Sequence, residues 1–189
     1  MRPTIDMLIK QPLHIICILL VILFGVQILN TITAGLVSNF GIYPRYINGL
    51  IGIPLAPFIH HSWQHLLSNA APLAVLAFIV LQQGVKRFIW VCLFITFSAG
   101  SAVWLFASEG FHAGASTLVF GLIGFIICNA IFSRNIFNLM LAAIICFLYA
   151  SVIYSLTQFV PGVSWSSHFF GFIAGCIAGK LFLSKQQKS

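Results

Sequence analysis

The chain has 189 residues, of which 60% are hydrophobic and only 6% charged, with a mean hydropathy of +1.07; it is far more apolar than a soluble domain. Nine Lys and Arg against two Asp and Glu give a net charge of +7, but apolar runs interrupt every basic site, so the charge points to membrane orientation and not to nucleic acid. The two carboxylates, Asp6 and Glu109, lie far apart and outside those runs, which excludes an aspartyl intramembrane protease, an HExxH metalloprotease and carboxylate-dependent pumps.

Apolar runs occupy residues of about 13–33, 64–82, 88–107, 114–132, 136–157 and 165–183. Each is long enough to cross ~30 Å of hydrocarbon as a helix. They predict an all-α membrane protein, a six-transmembrane-helix bundle in a single domain over residues 1–189, with a basic cytoplasmic tail at 184–189. The first run is longer than the apolar core of a signal peptide, about 7–15 residues, and no small-residue cleavage site closes it. It is expected to stay as a helix.

Residues 34–63 hold Gly41-Ile42-Tyr43-Pro44-Arg45, Pro54 and Pro57, too apolar for a flexible linker and too broken to span. They predict a loop in the outer interface. Arg2, Lys10, Lys86, Arg87, Arg134, Lys180, Lys185 and Lys188 fall on one side of the six runs and Arg45 on the other, which places both termini in the cytoplasm. Cys17, Cys92, Cys128, Cys146 and Cys176 fall in separate runs without a CxxC pair; all five are expected to be small buried apolar residues.

On this topology the second, fourth and sixth helices begin at the outer face, and each opens with polar residues that are costly in a membrane. His61, His65 and Asn69 follow at i, i+4 and i+8 on one face of the second helix. Ser116 opens the fourth inside Gly114-Ala115-Ser116, and His168 opens the sixth after Trp165-Ser166-Ser167. A serine needs a base to take its proton, and an imidazole titrating near neutrality is suited to that task. The expectation is a Ser116–His168 dyad without an orienting Asp. The free Ser116 backbone N–H at the helix start, with His65 and Asn69, would stabilise the oxyanion.

Gly171, Gly175 and Gly179 lie on the His168 face of the sixth helix, a small-residue seam suited to close packing against Gly114, Gly121 and Gly124 of the fourth. Pro72 removes the donor to the Ser68 carbonyl and predicts a kink in the second helix beside the site. His60, His61 and His112 are expected near the outer surface in interfacial or gating roles. His61 and His65, with His112 or His168, form the alternative of a metal site.

Taken together, His65-Leu66-Leu67-Ser68-Asn69, Gly114-Ala115-Ser116 and His168-Phe169-Phe170-Gly171 resemble the HxxxN, GxS and HxxG motifs of the rhomboid family of intramembrane serine proteases. The resemblance covers most of the chain. It implies the six-helix bacterial form in an inner membrane, with Ser116 as nucleophile, His168 as general base and acid, and His65 and Asn69 as oxyanion donors. It further implies no cofactor and no metal, and a single-pass transmembrane substrate cleaved near its outer end through an acyl-enzyme. Thr117 stands where the family usually has glycine. Phe120 stands where a tyrosine often packs on the catalytic histidine, and Tyr43-Pro44-Arg45 takes the place of a Trp-Arg pair. The alternative within the family is an inactive relative that binds membrane segments without cutting them.

Overall fold

A computed structural model describes residues 5–158 and 164–183, with side chains from residue 9 onward. Arg2, Lys185, Lys188 and the tail 184–189 lie outside the described residues. In chain order the helices are α1 (Ile5–Ile32), α2 (Gly52–Leu55), α3 (Trp63–Leu81), α4 (Val85–Phe106), α5 (Ser116–Ser133), α6 (Ile136–Leu148), α7 (Ala150–Tyr154) and α8 (Trp165–Leu181). Among the described residues the β pairing is one isolated antiparallel bridge between Ile42 and His112.

Local chemistry marks the helix ends. The Ser62 hydroxyl caps α3 by accepting the His65 N–H, the Asn135 side chain caps α6 by accepting the N–H groups of Phe137 and Asn138, and the Ser164 hydroxyl caps α8 by accepting the Ser167 N–H; each satisfies donors left open at a helix start. Gly84, at φ +110°, turns the chain between α3 and α4, a conformation that suits glycine.

Among the described residues four helices are long and apolar enough to cross a membrane: Ile9–Ile32, Trp63–Leu81, Val85–Phe106 and Ser116–Ser133. The run expected as one span at 136–157 is instead bent by 71° between Ile136–Leu148 and Ala150–Thr157. The break falls at Tyr149, whose backbone (φ −106°, ψ 21°) leaves the helical region. Counted as one, the bent pair is a fifth span. α8 has 17 residues, about 26 Å at the rise of an α-helix, short of ~30 Å of hydrocarbon. Of the six spans expected from the sequence, the described residues thus give four full-length helices, or five with the bent pair counted as one, and α8 as a shorter helix.

α5 is the central element. In its apolar window 67% of residues are buried, against 22% in α1, and a helix that is hydrophobic all round belongs in the middle. It lies along α8 at backbone contact. A Cβ on Gly171 would stand 2.5 Å from the Thr117 carbonyl oxygen, and one on Gly175 would collide with the Gly121 carbonyl. Further inward, Gly179 meets Phe125 and Asn129, and the buried Asn129 side chain donates to the Gly179 carbonyl at 3.3 Å. The outer helices keep large apolar side chains exposed, among them Val21, Ile32, Phe137 and Phe147, as a lipid-facing surface requires.

The cysteines differ from expectation: Cys17 is exposed, and the other four are half-buried. They sit on helix faces turned partly outward, where a small apolar side chain serves equally well. Residues 36–58 form a chain of single helical turns, Leu36–Phe40, Ile47–Ile51, α2 and Ala56–Phe58. Arg45 pins this loop to the end of α4: its backbone N–H donates to the Trp104 carbonyl, and its guanidinium donates to the Ala107 carbonyl at 2.6 Å.

Candidate active site

Ser116 is the first residue of α5, held by three contacts that precede it. His112 exchanges both backbone hydrogen bonds with Ile42, the Gly114 N–H donates to the Ala56 carbonyl at 2.9 Å, and the Ala115 N–H donates to the His60 ring at 3.1 Å. Gly114 has φ +129°, and a Cβ there would come within 2.7 Å of the His65 ring, so both backbone and space demand glycine. The first intrahelical bond of α5 runs from the Val119 N–H to the Ala115 carbonyl. The Ser116 N–H therefore has no acceptor within the helix and stands beside its own hydroxyl.

His168 lies in the first turn of α8, buried at 9% exposure, with Ser116 at 6%. Its ring stacks on Phe120, one turn inward of Ser116, with centroids 4.2 Å apart and planes 20° from parallel. Ser116, His168, His65, Asn69, Phe120 and Pro72 all line one cavity of about 800 Å³. No hydrogen bond joins Ser116 to His168. In a site without substrate such bonds are commonly long and close on binding.

His65 and Asn69 face this cavity from α3. The Asn69 amide donates to the His65 carbonyl at 2.9 Å, as does the Ser68 hydroxyl. One N–H of the Asn69 amide is thereby engaged, and the other is left for a ligand. The glycines of α8 do not line the cavity. They bring α8 against α5 just inward of it, so Ser116 and His168 stand at the outer end of a backbone-to-backbone contact. Thr117 is half-buried and does not contribute to the cavity wall, which α5 forms from Ser116, Val119 and Phe120. Its side chain diverges by about 100° from Ser116 around the helix.

Of the three histidines expected near the outer surface, His61 is exposed and His112, nearly buried, lines the same cavity, while His60 is fully buried. His112 uses both ring nitrogens, with Nδ1 paired to the Ser164 hydroxyl and Nε2 paired to the Ser108 carbonyl. Burial holds its pKa below the ordinary histidine value. Ser164 also caps α8, so His112 ties the loop before Ser116 to the helix of His168. Neither role has a local sequence signal, because the partners lie 52 and 55 positions away. Glu109 likewise lines the cavity mouth, a position its place outside the apolar runs does not disclose. Among the described residues no three His, Cys, Asp or Glu side chains converge to hold a metal ion.

Comparison with known proteins gives the family. The Rhomboid domain model matches residues 48–185. An uncharacterized protein of Mycobacterium leprae is 32% identical over 177 residues, covering 89% of this chain and 70% of that protein. Uncharacterized proteins of Mycobacterium tuberculosis and Mycobacterium bovis are each 29% identical over 177 residues, covering 89% of this chain and 74% of theirs. With its apolar helices the chain is an integral, multi-pass membrane protein, and it belongs to the rhomboid family.

Proposed function

We propose that the chain is an intramembrane serine endopeptidase that cleaves single-pass transmembrane substrates near the outer membrane face. One observation carries this reading: a serine at a helix start and a histidine from a second helix line one cavity with His65 and Asn69. Both termini are cytoplasmic in this proposal, which puts the cavity in the outer part of what we take to be a bacterial inner membrane. Ser116 Oγ attacks the scissile carbonyl as His168 takes its proton. The oxyanion forms against the Ser116 N–H, with His65 and the second Asn69 N–H as further donors. His168 returns the proton to the leaving amine, and the acyl-enzyme forms. Water then enters, deprotonated by His168, and releases the second product. No cofactor or metal takes part in these steps.

Fluorophosphonate labelling of the purified protein in mild detergent tests the nucleophile without a known substrate. The native protein is expected to label, and Ser116→Ala and His168→Ala to lose labelling. A second reading is a family member that holds transmembrane segments without cutting them, for which Thr117, standing where the family usually has glycine, is the argument. An unlabelled but folded native protein would move the weight to it.

A further inference from the structure

His60 combines complete burial with a single directional task. Its side chain has 0% exposure, and Nε2 accepts the Ala115 N–H at 3.1 Å. An acceptor at Nε2 requires the proton on Nδ1, which faces the Phe58 carbonyl without closing a hydrogen bond. Burying an imidazole with one nitrogen unpaired is costly, and an aliphatic side chain would fill the space more cheaply. The bond to Ala115 is therefore the feature that distinguishes histidine here from leucine.

The main chain of His60 is held from the opposite side. The Asn30 side chain of α1, itself buried, donates to the His60 carbonyl at 3.0 Å and accepts the Ser38 N–H at 3.1 Å. The Ala56 carbonyl, four residues earlier, takes the Gly114 N–H. Segment 56–60 thus grips the two consecutive amides that precede Ser116, and α1 steadies that segment, although α1 lies outside the matched residues 48–185.

We propose that His60 is a positioning residue for Ser116: its neutral ring holds the Ala115 amide and so orients the hydroxyl and N–H of Ser116, with Asn30 extending the hold to α1. This rests on the serine-protease reading of the same site. The groups facing the ring are His65 of α3, edge-on at 5.1 Å between centroids, the neighbouring His61 and the Phe58 carbonyl. Burial first, then the two histidines, keep the ring uncharged down to a pKa of about 4, so the acceptor is present at neutral pH.

The test compares native protein, His60→Leu, His60→Gln and Asn30→Leu in detergent at neutral pH. It measures the fluorophosphonate labelling rate, thermal unfolding, and hydrogen exchange of the peptide spanning 113–118. His60→Leu should slow labelling about tenfold, the loss of one buried hydrogen bond, and speed exchange at Ala115. His60→Gln, whose carbonyl oxygen reaches the same amide, should restore most of both, and Asn30→Leu should fall between. Equal rates in native and His60→Leu protein, or equal losses in the Leu and Gln variants, would overturn the assignment. Should the folded native protein fail to label, the protease reading fails separately, and exchange at Ala115 still decides whether His60 holds the loop.

Discussion

Phe120 and His168 meet ring on ring, 4.2 Å apart, and this stack joins α5 to α8 one turn inward of Ser116. The seam below it brings the backbones together, and the stack then sets the plane of the imidazole. An aromatic pair of this kind contributes about 0.5–1.5 kcal/mol beyond its area.

Phe120→Leu should therefore slow fluorophosphonate labelling by about 2- to 10-fold, while Phe120→Tyr, which keeps the ring, should stay close to native. A native rate in the Leu variant would mean that the ring plane of His168 is set elsewhere.

Gly175 is the tightest point of the seam, since an added Cβ would strike the Gly121 carbonyl, a main-chain atom that cannot swing aside. Gly175→Ala should cost about 1–3 kcal/mol, read by thermal unfolding. Gly175→Val should separate α5 from α8 and abolish labelling without removing any reacting group. Full labelling in a folded Gly175→Val protein would sink the seam argument.

The buried His60 ring makes stability depend on pH. Its pKa falls from 6.5 to about 4 on folding, so between those values the unfolded chain binds the extra proton. Stability is then complete above about pH 6.5 and is lost as pH falls towards 4. The full loss is on the order of 3 kcal/mol at about 1.4 kcal/mol per unit. Melting measured at pH values on both sides of this window should show a larger drop for native protein than for His60→Gln, which has nothing to titrate there. Parallel pH curves would rule His60 out as the source.

Thr117 does not line the cavity, so the proposed mechanism expects little effect of its β-branched side chain on the oxyanion position. Thr117→Gly should change the labelling rate by less than about threefold and lower the melting temperature slightly, since glycine costs a helix about 0.5–1 kcal/mol. A large gain in rate would show that threonine restrains the native site.

Much of this protein is legible in the order of its residues. Hydrocarbon demands about 20 apolar residues per crossing whatever the helix packs against, so the runs at 64–82, 88–107 and 114–132 closely anticipate α3, α4 and α5. The same solvent makes polar side chains conspicuous, which is why Ser116, His168, His65 and Asn69 stand out. The glycine spacing of α8 shows which face meets a neighbour, because only small residues permit backbone contact. Tertiary structure alone decides the rest. That α5 is the buried centre follows from competition among similar apolar helices, and the bend at Tyr149 has no proline or glycine to announce it. His60 and His112 resemble surface histidines in the sequence because their partners, Ala115 and Ser164, are remote along the chain. A hydrogen bond across that separation is set by how the chain folds back on itself, which no local pattern of residue types records.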